Sequence, residues 1–241
     1  MITDLPDTRS GRSLVVRGAE RLQQWIPALA GMTPIMLGTR EWEFRVDPVT
    51  FFIVGQHVFA SKGQHEVWDS LKVTEHVQIC NHSYTHGWNN RYATFYQKPD
   101  SVVKDFERTK DSLDLTNNIV RTPGRNIWRI DSLKFTDLKK SAAAADSLQK
   151  AGFVVMGWDL EWHYDHKNMS VTDDAEKIVD QIDSIFAHNK TQSPEHLVLL
   201  AHDQVYVKSG DSLQLRKLLQ LLKQKEEYEL SVATDYPGVD E

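Results

Sequence analysis

The sequence predicts an α/β fold built on a mostly parallel sheet, and three observations carry that prediction. Short apolar runs of strand length recur along the chain, helical patterns separate them, and the runs are apolar throughout rather than alternating. Strands that alternate with helices pair in parallel through crossover connections, and strands apolar on both sides are buried on both faces. An α/β barrel and a doubly wound sheet both satisfy this pattern. At 241 residues the chain is long enough to bury a substantial core within one domain.

The elements follow in order. VTFFIVG (49–55) and HVQIC (76–80) are the first two buried strands, and NIVR (118–121) is the third. FVVMGW (153–158), LVLLAH (197–202) and YELSVA (228–233) continue the series. The clearest helix spans 172–190, where Ala175, Ile178, Val179, Ile182, Ile185 and Phe186 form one stripe opposite Asp, Glu and Lys. Leu213, Leu215, Leu218, Leu219 and Leu222 mark another after Ser209 and Gly210. Two more helices are expected over 100–116 and 131–150, the second stopping at Gly152, because glycine readily takes the left-handed conformation that ends a helix. No repeat, low-complexity tract or linker is visible. The first 45 residues differ in kind from the rest, so the chain divides into a divergent N-terminal segment, 1–45, and a domain over 46–241.

Composition excludes several partners. The chain carries 28 basic and 34 acidic residues, net −6, without a basic cluster, which argues against a nucleic-acid footprint. Cys80 is the single cysteine, so an intramolecular disulfide and a thiolate cluster are both excluded, and His and carboxylate remain as metal ligands. No stretch reaches the roughly 18 apolar residues of a membrane span, and the first thirty residues lack the apolar core of a signal peptide. The compartment stays open.

The chemistry is expected at the C-terminal ends of the strands, where loops converge in folds of this kind. CNHSYTH (80–86) places His82 and His86 four positions apart, and a helix starting at Asn81 or Ser83 would turn both imidazoles to one side. Such a pair suits zinc, which takes histidine nitrogens at roughly 2.0–2.1 Å. The same spacing arises readily by chance in a chain with ten histidines, so its surroundings decide. His202 closes a buried strand. Read by itself it is a satisfied structural histidine, its pKa naturally near ~6.5, and Glu161 and Asp165 are the carboxylates that could hold it. Arg121 precedes the turn formed by Pro123 and Gly124.

Taken together, TFFIVG (50–55), NHSYTH (81–86), RTPG (121–124), GWDLEW (157–162) and LLAHD (199–203) resemble the polysaccharide deacetylase family, the chitooligosaccharide-deacetylase-like carbohydrate esterases. That family's pattern runs TFF-x-x-G, H-[ST]-x-x-H, R-x-P, a Trp/Asp segment and a late L-x-L-x-H, and the resemblance covers 49–233 in order. It implies a distorted (β/α) barrel, with 46–241 as the catalytic domain, holding zinc or another divalent metal such as cobalt through an Asp-His-His set. It implies removal of acetyl groups from an N-acetylated or O-acetylated polysaccharide or oligosaccharide. His82 and His86 match the metal histidines, His202 the acid that protonates the leaving amine, and Arg121 the arginine that steadies the catalytic aspartate. Trp88, Trp128, Trp158 and Trp162, with Pro123, flank these motifs, and aromatic faces there suit sugar rings as well as core packing. The resemblance also suggests an extracytoplasmic or cell-envelope setting.

One motif is missing. The family's T-F-D-D-G, which supplies the base and the third metal ligand, should lie about 25 to 30 residues before TFF. That window reads RLQQWIPALAGMTPIMLGTREWEF and holds no aspartate. Asp4 and Asp7, in ITDLPDT, are the upstream candidates, Asp4 being taken as the metal ligand, and Asp47 precedes Pro48. The barrel's first strand and the base are therefore unaccounted for, and the fold is expected to be incomplete at its N-terminal end. The alternative to an active deacetylase is a catalytically impaired homologue that binds carbohydrate without hydrolysing it.

Overall fold

A computed structural model describes residues 12–18 and 47–239. Twelve strands are found there: β1 (Arg12–Gly18), β2 (Val49–Ile53), β3 (Val77–Asn81), β4 (Ile119–Val120), β5 (Ile127–Ile130), β6 (Leu133–Thr136), β7 (Val154–Val155), β8 (Leu160–Glu161), β9 (Tyr164–Asp165), β10 (Ser170–Val171), β11 (His196–Leu200) and β12 (Tyr228–Ser231). The main sheet runs β6-β5-β7-β4-β3-β2-β1-β11-β8, with β12 also paired to β1. Only the ladders of β5, to β6 and to β7, are antiparallel; the others of this sheet are parallel. This is the expected α/β architecture with a parallel-rich sheet. Among the described residues no ladder joins β6 to β8.

The expectation of a missing first strand is corrected. RSLVVRG (12–18) fills a slot between β2 and β11, with Arg17 in register with both Thr50 and Leu200. Only three of these residues are consecutive apolar ones, so the segment gives little strand signal alone; its ladders to β2, β11 and β12 make it a strand.

Five helices pack around the sheet: α1 (Lys62–Lys72), α2 (Pro99–Leu113), α3 (Ala142–Lys150), α4 (Ala175–Ala187) and α5 (Ser209–Lys223). Side chains alternate along each strand, and the alternation sorts the core. Phe51 and Ile53 face Val67, Trp68 and Leu71 of α1, while Phe52 turns inward to Cys80, Trp128, Met156 and Val198. Leu197 and Leu199 lie against α4 and α5 in the same way, and α2 and α3 cover β4, β5 and β7. Each such side chain contributes about 1.5–3 kcal/mol by burial. Among the described residues no helix is long and apolar enough to cross a membrane.

Two helix expectations change. Residues 131–150 are not one helix, because IWRI-DS-LKFT forms the β5–β6 hairpin across Asp131, whose φ is +48°, and α3 starts only at Ala142. Helix α1 was not foreseen. Its start is fixed by Ser61, whose hydroxyl accepts the Gln64 N–H at 3.2 Å.

Candidate active site

Strand β3 delivers the histidine loop, and helix α2 holds it. Asn81, at the strand's last position, donates from Nδ2 to Phe106 O (2.8 Å) and accepts the Ser83 N–H on Oδ1 (2.9 Å). Asp105 is buried, and its Oδ2 accepts from both the backbone and the hydroxyl of Thr85, each at 3.1 Å. Its main-chain oxygen takes the Tyr84 N–H. The loop is therefore fixed by its own polar groups and not by a helix through the two histidines. That expectation is corrected: residues 86–90 form a single left-handed turn, with φ of 53°, 64°, 58°, 55° and 68°. Gly87 takes this conformation freely and Asn89 and Asn90 accept it readily, whereas for His86 and Trp88 it costs about 1–2 kcal/mol each.

The imidazoles still meet, with ring centroids 5.1 Å apart and both side chains largely buried. Each ring has its tautomer set by its neighbour. His82 Nδ1 lies 3.0 Å from Arg121 O, and a carbonyl only accepts, so Nδ1 carries the proton and Nε2 the lone pair. His86 Nδ1 lies 2.5 Å from Asn90 Oδ1, which gives the same assignment. Two neighbouring imidazoles with Nδ1 engaged and basic Nε2 atoms are the donor chemistry of two positions on a divalent metal. Among the described residues no group of three or more His, Cys, Asp or Glu could hold such an ion.

Arg121 follows β4 and is buried. Burial separates it from a surface arginine at a turn. Its Nε donates to Met156 O at 3.2 Å, its Nη2 donates to Gly157 O, and its guanidinium carbon lies 4.9 Å from the Phe52 ring centroid and 5.3 Å from that of Trp158. Nη1 is buried without a hydrogen-bond acceptor.

The aspartate search ends unevenly. The slot of the first strand is filled, but Arg17 and Gly18 stand at its C-terminal end. Asp4 and Asp7 lie outside the described residues. Asp47 precedes β2 and pairs with Lys223 at 2.5 Å, which puts it about 20 Å of extended chain from the strand's functional end. It cannot serve there.

His202 follows β11, so it lies at the same end of the sheet as His82, with β1 and β2 between their strands. Three strand spacings amount to about 14 Å measured along the sheet. Its ring packs on Tyr164, centroids 5.0 Å apart, and the Tyr164 hydroxyl accepts from Gln204 Nε2 at 2.8 Å. Asp203, beside it, is buried. Burial first, then the Asp211 and Asp203 carboxylates, pushes the nearby Tyr206 phenol up. Glu161 Oε1 lies 3.6 Å from His163 Nδ1. Asp165 is exposed and caps a turn, accepting from the Lys167 and Asn168 N–H groups. The Lys167 bond leads in holding its carboxyl below the usual range.

The aromatic candidates divide by burial. Trp128 is fully buried against Tyr236, and Trp162 is buried with its indole N–H on Asp173 O (2.9 Å), so neither can present a face to a sugar. Pro123 is buried too, its carbonyl taken by the Tyr96 hydroxyl at 2.6 Å. Trp88 and Trp158 are only partly buried, with Lys98 Nζ 5.6 Å from the Trp88 ring centroid and Arg121 near Trp158. Asn90, Asp105, Tyr164 and Asp203 were not singled out from sequence. Only Asp203, adjoining His202, carried a signal that could have found it.

A parallel-rich α/β sheet of this kind is the fold of solved CE4 proteins. No family model and no curated relative matches the sequence. Among solved structures the chain is similar to a CE4 esterase of Streptococcus mutans, at 15% identity and a TM-score of 0.59 over 93% of this chain and 87% of that one. BA3943, a CE4 family pseudoenzyme from Bacillus anthracis, is similar at 15% identity and 0.55, over 96% and 66%. So is a 4-alpha-glucanotransferase from Thermococcus litoralis, at 12% and 0.54, over 94% and 40%. At such identities the likeness is one of fold.

Proposed function

We propose that this chain is a metal-dependent carbohydrate deacetylase that hydrolyses N-acetyl or O-acetyl groups of a polysaccharide or oligosaccharide. The observation that carries the reading is the matched state of His82 and His86, each with Nδ1 on an oxygen and Nε2 as the basic nitrogen. Hydrolysis of an acetamide needs a nucleophile at neutral pH, a stabilised oxyanion and a proton for a poor leaving group. Zinc or cobalt held by His82 and His86 would supply Lewis acidity where the acyl oxygen develops charge. Arg121 steadies His82 through its carbonyl oxygen and ties the ends of β4 and β7 together. Trp88 and Trp158 face the glycan. Water adds to the acyl carbon and sheds its proton to solvent, and His202 then gives its own proton to the departing amine or alcohol as the C–N or C–O bond breaks and acetate separates.

A second reading, an impaired homologue that binds glycan without cleaving it, is favoured by one observation. The guanidinium of Arg121 has no carboxylate partner among the described residues, and no aspartate stands at the end of β1. Acetate release from acetylated chitooligosaccharides, peptidoglycan and acetylated xylan, with zinc or cobalt supplied, separates the two. Metal-dependent release that disappears in His202→Ala establishes the first reading. Binding without release establishes the second, and neither release nor binding refutes both.

A further inference from the structure

We infer that Asn90 is the positioning residue of His86, presented by the left-handed turn and braced by Tyr92; the inference rests on the reading of His86 as a metal ligand. Three contacts link the three side chains, two of them on one oxygen. Asn90 Oδ1 lies 2.5 Å from His86 Nδ1 and accepts the Tyr92 hydroxyl at 2.9 Å, while the Tyr92 oxygen is 3.4 Å from the same imidazole nitrogen. An amide oxygen with two donors on it stays where it is, so the ring it faces is fixed in rotation and tautomer.

Tyr92 is itself held. A β-carbon on Gly87 would stand 2.7 Å from Tyr92 Cδ1, and one on Gly124 would stand 2.6 Å from Cε2, so the backbone approaches both edges of the ring. The ring also meets His86 edge-on, centroids 5.8 Å apart. The turn is what brings these groups together, since it returns the chain from His86 to Asn90 with every φ positive. Asparagine is among the few residues other than glycine that accept this conformation readily, and it adds the acceptor that glycine lacks. The short run HGWNN thus joins a histidine to its own support.

The consequence is an imidazole already fixed in rotation and tautomer, with its lone pair on Nε2. Partners of this kind typically alter metal affinity by about 10- to 100-fold. Asn90→Gly is the informative variant, because at a φ of 68° it removes the acceptor without adding backbone strain. Asn90→Asp restores an acceptor at the same place. Zinc affinity of the full chain is measured by titration calorimetry, and the ¹⁵N shifts of the His86 ring are read in metal-free protein above pH 8. The expected result is zinc binding weakened by about 10- to 100-fold in Asn90→Gly and recovered in Asn90→Asp, with Nδ1–H dominant in the parent and mixed tautomers in Asn90→Gly. Parent-like affinity and an unchanged His86 tautomer in Asn90→Gly overturn the inference. Should the parent bind no zinc, the metal reading fails by itself, and the tautomer comparison still decides whether Asn90 positions the ring. If Asn90→Gly does not fold, Tyr92→Phe takes its place: tautomer mixing supports the bracing, and none refutes it.

Discussion

Replacing Gly124 with alanine tests whether the Tyr92 ring is wedged between two stretches of backbone. Gly124 has φ +62°, and an added β-carbon would lie 2.6 Å from Tyr92 Cε2 and 2.9 Å from both Cδ2 and Cζ. The ring has no retreat, because Gly87 lies against the opposite edge. Two penalties add: left-handed backbone with a β-carbon costs about 1–2 kcal/mol, and overpacking costs about 1–3 kcal/mol more. Gly152 separates them. It also has positive φ, +87°, but nothing lies within 4 Å of its β-position, so Gly152→Ala should show only the backbone penalty. Equilibrium urea unfolding under one set of conditions is then expected to rank Gly124→Ala below Gly152→Ala by about 1–3 kcal/mol at similar m-values. A Gly124→Ala protein as stable as Gly152→Ala refutes the wedge.

Three further outcomes are expected. Burial holds the Tyr96 phenol well above its ordinary 10.0, so its contribution to stability is complete below that pH and is lost as pH rises through the higher folded value, since the unfolded phenol ionises first. Tyr96→Phe should therefore flatten the alkaline fall in urea-derived stability by about 1.4 kcal/mol per pH unit, and an unaltered slope contradicts the assignment. Asp105→Ala leaves Thr85 without two hydrogen bonds to a buried carboxylate and should cost about 3 kcal/mol, where a loss under about 1 kcal/mol would mean the loop does not depend on α2. Trp158→Ala should weaken chitooligosaccharide binding about fivefold by calorimetry while Trp128→Phe leaves it alone; the reverse order would mean that burial misassigns the sugar platform.

Legibility followed the source of each element's stability. Strands β2, β3, β4, β7 and β11 were readable from their largely apolar runs, and β12 from a run whose Glu229 faces solvent. Strand β1 was not, since its place depends on ladders to partners up to some two hundred positions along the chain rather than on its own short Leu-Val-Val run. The β5–β6 hairpin did carry a local signal, a two-residue Asp-Ser turn between IWRI and LKFT, which the expected helix overran. At the site, residue type exposed His82, His86, Arg121 and His202. The groups that hold them stayed hidden, because Asn90 and Asp105 act through a turn of unusual hand and through a neighbouring helix.

That turn bears on what the site is for. His86 and Trp88 in left-handed backbone amount to about 2–4 kcal/mol of local penalty, a sizeable share of the margin by which a domain is stable. Strain of this size persists only where the surroundings fix it, and here they do: Thr85 O accepts the Asn89 N–H at 2.8 Å, Thr85 Oγ1 accepts the Trp88 N–H at 2.9 Å, and Asp105 anchors Thr85 in turn. Arg121 shows a complementary case: its guanidinium donates to two carbonyls and lies near the Phe52 and Trp158 rings, while Nη1 stays buried without an acceptor, so the absence of an aspartate at the end of β1 leaves one donor of a buried cation unsatisfied.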